Sequence, residues 1–291
     1  SATVTVTENS ATDAGVDGAL TICSDDATTS MFAELVGSPQ LGGTWSGPSA
    51  VVGGNYDPAT MAQGVYIYTV IGVAPCVDAS ASVTVTENAA ANAGIDASVT
   101  LCADGAPVDL FTQLGGSPQV GGAWSGPSPI VGGMYDPPTM LPGAYIYTVT
   151  GILPCANATA TITVTENAIT NAGIDGGATL CSDGATVDLF TLLGGAPQAG
   201  GTWNGPSAIV GGMYDPTTMS PGVYTYTVNG VAPCASATAD VTIAENSAPN
   251  AGIDGSVTVC DIGAAVNLFA SLGGAPQASG TWSGPSAIVG G

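Results

Sequence analysis

The sequence predicts an all-β chain, a tandem array of small β-sandwich domains that recur at every 79th position. Three observations predict it. A long internal repeat recurs without insertion or deletion, its apolar segments alternate with period two, and Gly-Gly, Gly-Pro and Asp-Pro turn pairs punctuate the runs at sandwich spacing.

The repeat organises everything else. Trp45, Trp124, Trp203 and Trp282 stand 79 positions apart, as do Cys23, Cys102, Cys181 and Cys260, and as do Cys76, Cys155 and Cys234. Thr-Glu-Asn ends at Asn9, Asn88 and Asn167, and its variant Ala-Glu-Asn ends at Asn246. Complete copies therefore occupy residues 10–88, 89–167 and 168–246. Residues 1–9 read as the last strand of a preceding repeat and 247–291 as the N-terminal part of a further one, so the chain reads as a window on a longer protein. A unit of this length is too long for a solenoid repeat and suits one small domain.

The elements follow in order along the second copy. Ser98–Cys102 and Gly122–Ser125 are short strand candidates, and Val108–Leu114 fits either a strand or a single helical turn. Gly143–Val149 (GAYIYTV) alternates strictly and puts Tyr145 and Tyr147 on one side. Ala158–Glu166 (ATATITVTE) sets Val and Ile against Thr, a strand with one buried face and one wetted by hydroxyls. Six or seven short strands per copy result, with no sustained helical period. The last strand ends at Glu87 and the next unit begins at Ala93, a junction too short for a floppy tether. The array is expected to be a semi-rigid rod, each domain adding roughly 30–40 Å.

Composition removes most chemistry. There is no Lys, Arg or His, against 22 Asp and Glu, for a formal charge of −22. No cation can clamp a phosphate, so nucleic acid is excluded as a partner. No Schiff-base lysine, imidazole base or histidine-built zinc site can exist. A basic signal-peptide n-region is absent as well. Mean hydropathy is +0.38, yet no apolar run approaches the ~18 residues of a spanning helix, so no direct membrane insertion is expected.

Each complete copy holds two cysteines 53 positions apart, with the Trp 22 positions after the first. Without a CxxC pair a thiolate metal cage is disfavoured, and paired cysteines in a Gly-rich β chain point to disulfides in an oxidising compartment. The expected pairs lie within a copy: Cys23–Cys76, Cys102–Cys155 and Cys181–Cys234, with Cys260 left over. The rival pairing joins neighbours, for example Cys76 to Cys102. Cys, then Trp, then Cys in such a strand pattern matches the immunoglobulin-like (Ig-like) sandwich, in which a core Trp packs on an inter-sheet disulfide. The Trp is accordingly expected in the core.

The run Asn-Ala-Gly-Ile-Asp-Gly … Leu-Cys-Ser-Asp-Gly … Leu-Gly-Gly … Gly-Gly-Thr-Trp … Pro-Gly-Val-Tyr-Thr-Tyr-Thr-Val … Ala-Pro-Cys, along 171–234, resembles the tandem repeats of giant Bacteroidota cell-surface proteins. Those include gliding-motility adhesins exported by the type IX secretion system. The resemblance covers the whole chain and implies an extracellular, cell-surface location and a role in a filament or adhesin shaft.

Carboxylates are the remaining chemistry. Asp57, Asp136 and Asp215 recur in Tyr-Asp-Pro, where a turn explains them better than a glycosidase acid pair. The copy boundaries gather Glu87, Asn88, Asn92 and Asp96, and again Glu166, Asn167, Asn171 and Asp175, oxygen donors of the kind Ca²⁺ takes. The same residues are good turn formers, and no EF-hand spacing is present. The sequence thus points to a non-catalytic structural shaft whose contacts are neighbouring repeats, identical chains in a filament, and a distal surface or glycan. Its rivals are a self-assembling fibre and a repeated glycan- or ice-binding module.

Overall fold

A computed structural model describes residues 1–288. The chain divides into two compact units, Ser1–Asn167 and Ala168–Gly291, so the division falls between two copies of the repeat. The first unit holds two complete copies, the second holds one and the opening of another.

Copy 1 comprises β1 (Gly18–Cys23), β2 (Thr29–Ser30), β3 (Thr44–Ser46), β4 (Asn55–Tyr56), β5 (Gly64–Val70) and β6 (Ala79–Asn88). Copy 2 repeats these as β7 (Ala97–Cys102), β8 (Val108–Asp109), β9 (Ala123–Ser125), β10 (Met134–Tyr135), β11 (Gly143–Val149) and β12 (Ala158–Asn167). In copy 3 they are β13 (Gly176–Cys181), β14 (Val187–Asp188), β15 (Thr202–Asn204), β16 (Met213–Tyr214), β17 (Gly222–Val228) and β18 (Ala237–Asn246). The ambiguous segment resolves into both alternatives: β8, then a 3₁₀ turn at Leu110–Gln113 that Asp109 caps by accepting from the Phe111 N–H at 2.9 Å.

Each copy is a four-stranded sheet faced by a two-stranded one. In copy 1 the order is β1-β6-β5-β3, with β2 paired to β4. The two hairpin-like pairings, β6–β5 and β5–β3, are antiparallel, whereas β1 lies parallel to β6. This is the C-F-G face of an Ig-like sandwich with the first strand added beside the last. The array of Ig-like β-sandwich domains read from the sequence is therefore what the chain forms.

Period-two alternation fixes which side chains go inside. Tyr145, Tyr147 and Val149 of β11 are buried, as are Ala160, Ile162 and Val164 of β12, while the intervening Thr163 and Thr165 face water. Tyr135, Leu110 and Leu114 close the core from the opposite layer. The Trp is not at its centre. Trp124 is half-buried on β9, opposite Tyr147, with ring centroids 5.1 Å apart, and Phe111 meets the same tyrosine edge-on at 5.4 Å. The core is thus built on tyrosine, with Trp as a lid over its rim, which corrects the expected core Trp.

The buried phenols explain two of the glycines. Tyr147 Oη donates to the Gln119 carbonyl and accepts from the Gly122 N–H, each at 2.7 Å. A Cβ on Gly122 would come within 2.5 Å of that ring, and one on Gly126 would strike the ring of Tyr145. The Gly-Gly and Ser-Gly-Pro steps flanking the Trp are therefore where backbone must lie flat on a buried ring.

Residues 1–9, read as a last strand, form no ladder with the described residues. Within 247–288 the described structure is a 3₁₀ turn at Phe269–Ser271 and a bridge between Ile253 and Gly273.

Candidate functional site

The chemistry of the first unit concentrates where copy 1 meets copy 2. Cys23 ends β1, and Cys155 lies in the loop that leads into β12. The two form a disulfide across 132 residues, with Cα atoms 5.0 Å apart. The expected Cys23–Cys76 pair does not form, and Cys76 is a free thiol. Strand direction is the reason. β1 runs parallel to β6, placing Cys23 opposite Asn88 at the far end of a ten-residue strand, whereas Cys76 precedes its near end. Ten residues of strand span about 33 Å, against the ~7 Å limit between bridged Cα atoms.

The same geometry repeats in copy 2, where Cys102 lies opposite Asn167 at the end of β12 and Cys155 precedes its start, so Cys102–Cys155 does not form either. Cys102 and Cys234 are each disulfide-bonded. Cys181 is a free thiol, so the expected Cys181–Cys234 pair is also replaced, and Cys260 is a free thiol too.

Hydrogen bonds complete the junction. The Asn88 side-chain amide donates to the Leu153 carbonyl at 2.7 Å, reaching from the end of copy 1 into the loop of Cys155. The Ser24 N–H donates to the Asn88 carbonyl at 2.9 Å, and Ser24 Oγ accepts from the Ala90 N–H at 3.0 Å. The end of β1, the end of β6 and the first residues of the linker are thereby bound together just below the disulfide.

Several of the oxygen donors expected at the boundaries accept hydrogen bonds within the protein. Asp96 Oδ1 accepts from the Thr161 N–H at 2.8 Å, and Asp175 Oδ1 accepts from the Asp240 N–H at 2.9 Å. Asn92 Oδ1 accepts from the Gly94 N–H at 2.9 Å while its amide donates to the Ser117 carbonyl, and Asn171 does the same with the Gly173 N–H and the Ala196 carbonyl. Glu166 Oε1 accepts from the Tyr135 hydroxyl at 2.6 Å, whereas the Tyr56 hydroxyl, near Glu87, donates to the Met61 carbonyl at 3.2 Å. Among the described residues, every group of three His, Cys, Asp or Glu ligand atoms within mutual reach contains two disulfide-bonded cysteines.

The buried phenols facing these carboxylates are shifted. Burial, then the charge of Glu87, pushes Tyr56 from 10.0 up to about 12. Tyr135 and Tyr214 move further the same way, through burial and then their hydrogen bonds to Glu166 and Glu245. A phenol beside a carboxylate holds its proton more firmly because ionising it would set two negative charges in contact. Asp136, by contrast, is the turn residue its sequence suggests: its Oδ2 accepts from Thr139 Oγ1 at 2.7 Å.

One other feature recurs. Beside each half-buried Trp lies an open concavity, about 550 Å³ in copy 2, lined by Asp109, Phe111, Gly122, Trp124, Ile130 and Tyr147. Copies 1 and 3 have counterparts of about 600 and 560 Å³, but Ser30 stands in copy 1 where Asp109 stands in copy 2. A carboxylate missing from one of three otherwise equal sites is a poor basis for acid catalysis.

No protein-family model and no curated protein matches the sequence. Among solved structures the chain is similar to titin domains I67–I69, at 10% identity over 79% of this chain and 97% of that one, with a TM-score of 0.38. It is also similar to Sidekick-1 immunoglobulin domains 1–4, at 12% identity over 82% and 76% with a TM-score of 0.30, and to Drosophila N-cadherin EC1–4, at 13% over 80% and 75% with 0.22. Scores this low carry no argument about function, and the Ig-like assignment rests on the strand order above.

Proposed function

We propose that this chain is a non-catalytic structural shaft, part of a large extracellular adhesin or surface filament. The observation that carries the reading is the junction of copies 1 and 2, closed by Cys23–Cys155 and by the Asn88 amide on Leu153. A spacer needs its domains fixed end to end, and that is where this chain spends its covalent chemistry. Disulfides suit an oxidising extracellular compartment. No described helix is long and apolar enough to cross a membrane. Neighbouring repeats are the immediate partners, with identical chains alongside in a filament. Cell adhesion and gliding motility are the processes that the Bacteroidota resemblance supplies, and Ca²⁺ at the boundaries, using the carboxylate oxygens left over by the bonds above, belongs to the same proposal.

Electron microscopy of the oxidised chain tests the reading: the expected particle is a rod of uniform length. A population of compact or freely jointed particles overturns it. A second reading, a repeated glycan-binding module, is favoured by the recurring concavity beside Trp45, Trp124 and Trp203. Saturable glycan binding that Trp124→Ala weakens without unfolding the chain would establish that reading instead.

A further inference from the structure

We infer that the disulfides turn this array into two continuous covalent tracks, side by side, that carry tension past most of the folded chain. The inference begins with topology. β1 and β6 are parallel neighbours, both running toward the same end of copy 1, and β7 and β12 are the equivalent pair in copy 2. Two covalent routes leave copy 1. One is the main chain, from β6 through 89–96 into β7. The other runs from β1 through Cys23 and Cys155 into β12. What enters copy 2 by these routes is again a pair of parallel, hydrogen-bonded strands. The routes exchange places as they cross, each passing from the sheet edge inward or the reverse.

The remainder of each copy lies between its two cysteines. Residues 24–75 carry β2 to β5, Trp45 and most of the tyrosine core of copy 1, and 103–154 carry their equivalents. Tension that crosses from Cys23 to Cys155 passes neither segment. Those segments fold against the tracks without being in series with them.

The sequence repeats the arrangement. The step from Cys23 to Cys155, 132 residues, joins the first cysteine of one copy to the second cysteine of the next. The same step separates positions 102 and 234, and both of those cysteines are disulfide-bonded. The three free cysteines, Cys76, Cys181 and Cys260, are those for which this step points outside residues 1–291. Within the first unit the rule accounts for Cys23, Cys76 and Cys155. Continued along an array, it leaves each track only a stretch such as Cys155 to Cys181 for every two copies, most of it already extended as strand.

The consequence is a rod that cannot be lengthened by unfolding its domains. An ordinary tandem array gives up roughly 3.5 Å of contour for every residue it unfolds. Here the residues between paired cysteines have no contour to give. The inference deepens the shaft reading, but its test reads covalent connectivity and can fail while the rod remains a rod.

Single-molecule pulling on the full oxidised chain, with handles at residues 1 and 167, decides it. Tension should reach a limiting length of about 120 Å, set by residues 1–23 and 155–167 alone at ~3.5 Å per residue. Reductant, or Cys23→Ser, should raise that limit about fivefold. Pairing within copies would instead give about 220 Å, from residues 1–23, 76–102 and 155–167. Either that length or an unchanged length after reduction overturns the inference. A second measurement guards against a variant that misfolds: a protease site placed in 89–91 of the otherwise unaltered chain. Cutting there should leave one covalent species on a non-reducing gel that separates only with reductant, and separation without reductant overturns the inference equally.

Discussion

The loop 72–78 of copy 1 and the loop 151–157 of copy 2 are the same structure in two chemical states. Each has a cis proline bond just before its cysteine, Ala74-Pro75 and Leu153-Pro154. Each is tied across its base, by the Gly72 N–H to Asp78 Oδ1 at 2.8 Å and by the Gly151 N–H to Asn157 Oδ1 at 3.0 Å. Each receives an asparagine amide from the preceding Thr-Glu-Asn segment, Asn9 on Ala74 at 3.0 Å and Asn88 on Leu153 at 2.7 Å. The cysteines differ: Cys155 is buried in its disulfide, while Cys76 is a partly exposed thiol whose Sγ lies 3.6 Å from the Asn9 carbonyl. The docking geometry therefore does not depend on the bond. The loop is shaped for its neighbour beforehand, and the disulfide adds connectivity.

Breaking the bond should have the largest effect. Closing a loop of 132 residues removes about 5 kcal/mol of unfolded-state entropy on the chain-entropy model. Cys23→Ser should lower the denaturation midpoint of the first unit by a shift of that order, whereas Cys76→Ser should leave it within about 0.5 kcal/mol. Equal effects in the two variants would mean that Cys76 has a partner in solution and that the two loops are not in different states.

The tyrosines test whether the copies are otherwise equal. Tyr68 in copy 1 and Tyr147 in copy 2 make the same two bonds, to Gln40 and Gly43 and to Gln119 and Gly122. Removing either hydroxyl strands a carbonyl and an N–H against the core, at a cost of about 1–3 kcal/mol. Tyr68→Phe and Tyr147→Phe should therefore destabilise alike in chemical denaturation. A smaller loss at Tyr147 would show the disulfide restraining its own copy. The shifted phenols add a pH dependence. Tyr56 ionises near 10.0 when unfolded and at about 12 when folded. The folded state holds that proton more tightly, so the contribution is intact below pH 10 and is lost as pH rises from 10 through 12. Thermal melts should be level from pH 7 to 10 and then fall, and Tyr135→Phe should remove part of the fall.

Much of this was legible in the sequence. Gly143–Val149 carries its strand limits in its alternation, and the Ala158 strand runs only one residue past the Glu166 end that its pattern suggests. The cysteine pairing was not legible, for a definite reason. In an exact repeat the separations 26, 53 and 132 all recur, and spacing cannot choose among them. Strand direction chooses, and the SVTLC run at Ser98–Cys102 carries no mark that it lies parallel to the last strand. A positional clue was present: Cys155 follows a proline and precedes its strand by three residues, so it does not lie on a strand face as an inter-sheet cysteine does. Among the boundary oxygens, Asn92 Oδ1 meets its own backbone at the Gly94 N–H, as short polar side chains at a chain reversal do, whereas Asp96 Oδ1 reaches the Thr161 N–H, a partner that no local pattern announces.

The asparagine clamp comes next in size. Asn88→Ala removes one bond to a backbone carbonyl near the surface, worth about 1 kcal/mol. With Cys23–Cys155 intact the loop stays in place, so hydrogen exchange around 151–157 should change little. In Cys23→Ser the same substitution should speed exchange there several-fold. The loop 72–78, which has no disulfide, should respond to Asn9→Ala directly, and equal responses in the oxidised chain would mean that the bond and the amide do not share the work of docking.

Calcium should have the smallest effect, and it should appear in only one of the two states. Glu87 is the second-last residue of copy 1 and Asp96 lies in the opening turn of copy 2, two carboxylates flanking one junction in a chain carrying 22 acidic residues and no basic ones. Monovalent salt screens charges over about 8 Å at physiological strength, which leaves repulsion between groups nearer than that. A divalent ion shared by the outer oxygens of Glu87 and Asp96 would remove the repulsion and narrow the angle between the copies. In the oxidised chain the disulfide already holds that angle, so calcium has little left to fix. In Cys23→Ser only the asparagine bond remains, and EDTA at constant ionic strength should broaden the distribution of interdomain angles seen by scattering, with Asp96→Asn or Glu87→Gln reproducing the change. Superimposable profiles of Cys23→Ser with and without calcium would reduce Glu87 and Asp96 to the roles they already have within the protein, one facing Tyr56 and the other holding the Thr161 N–H.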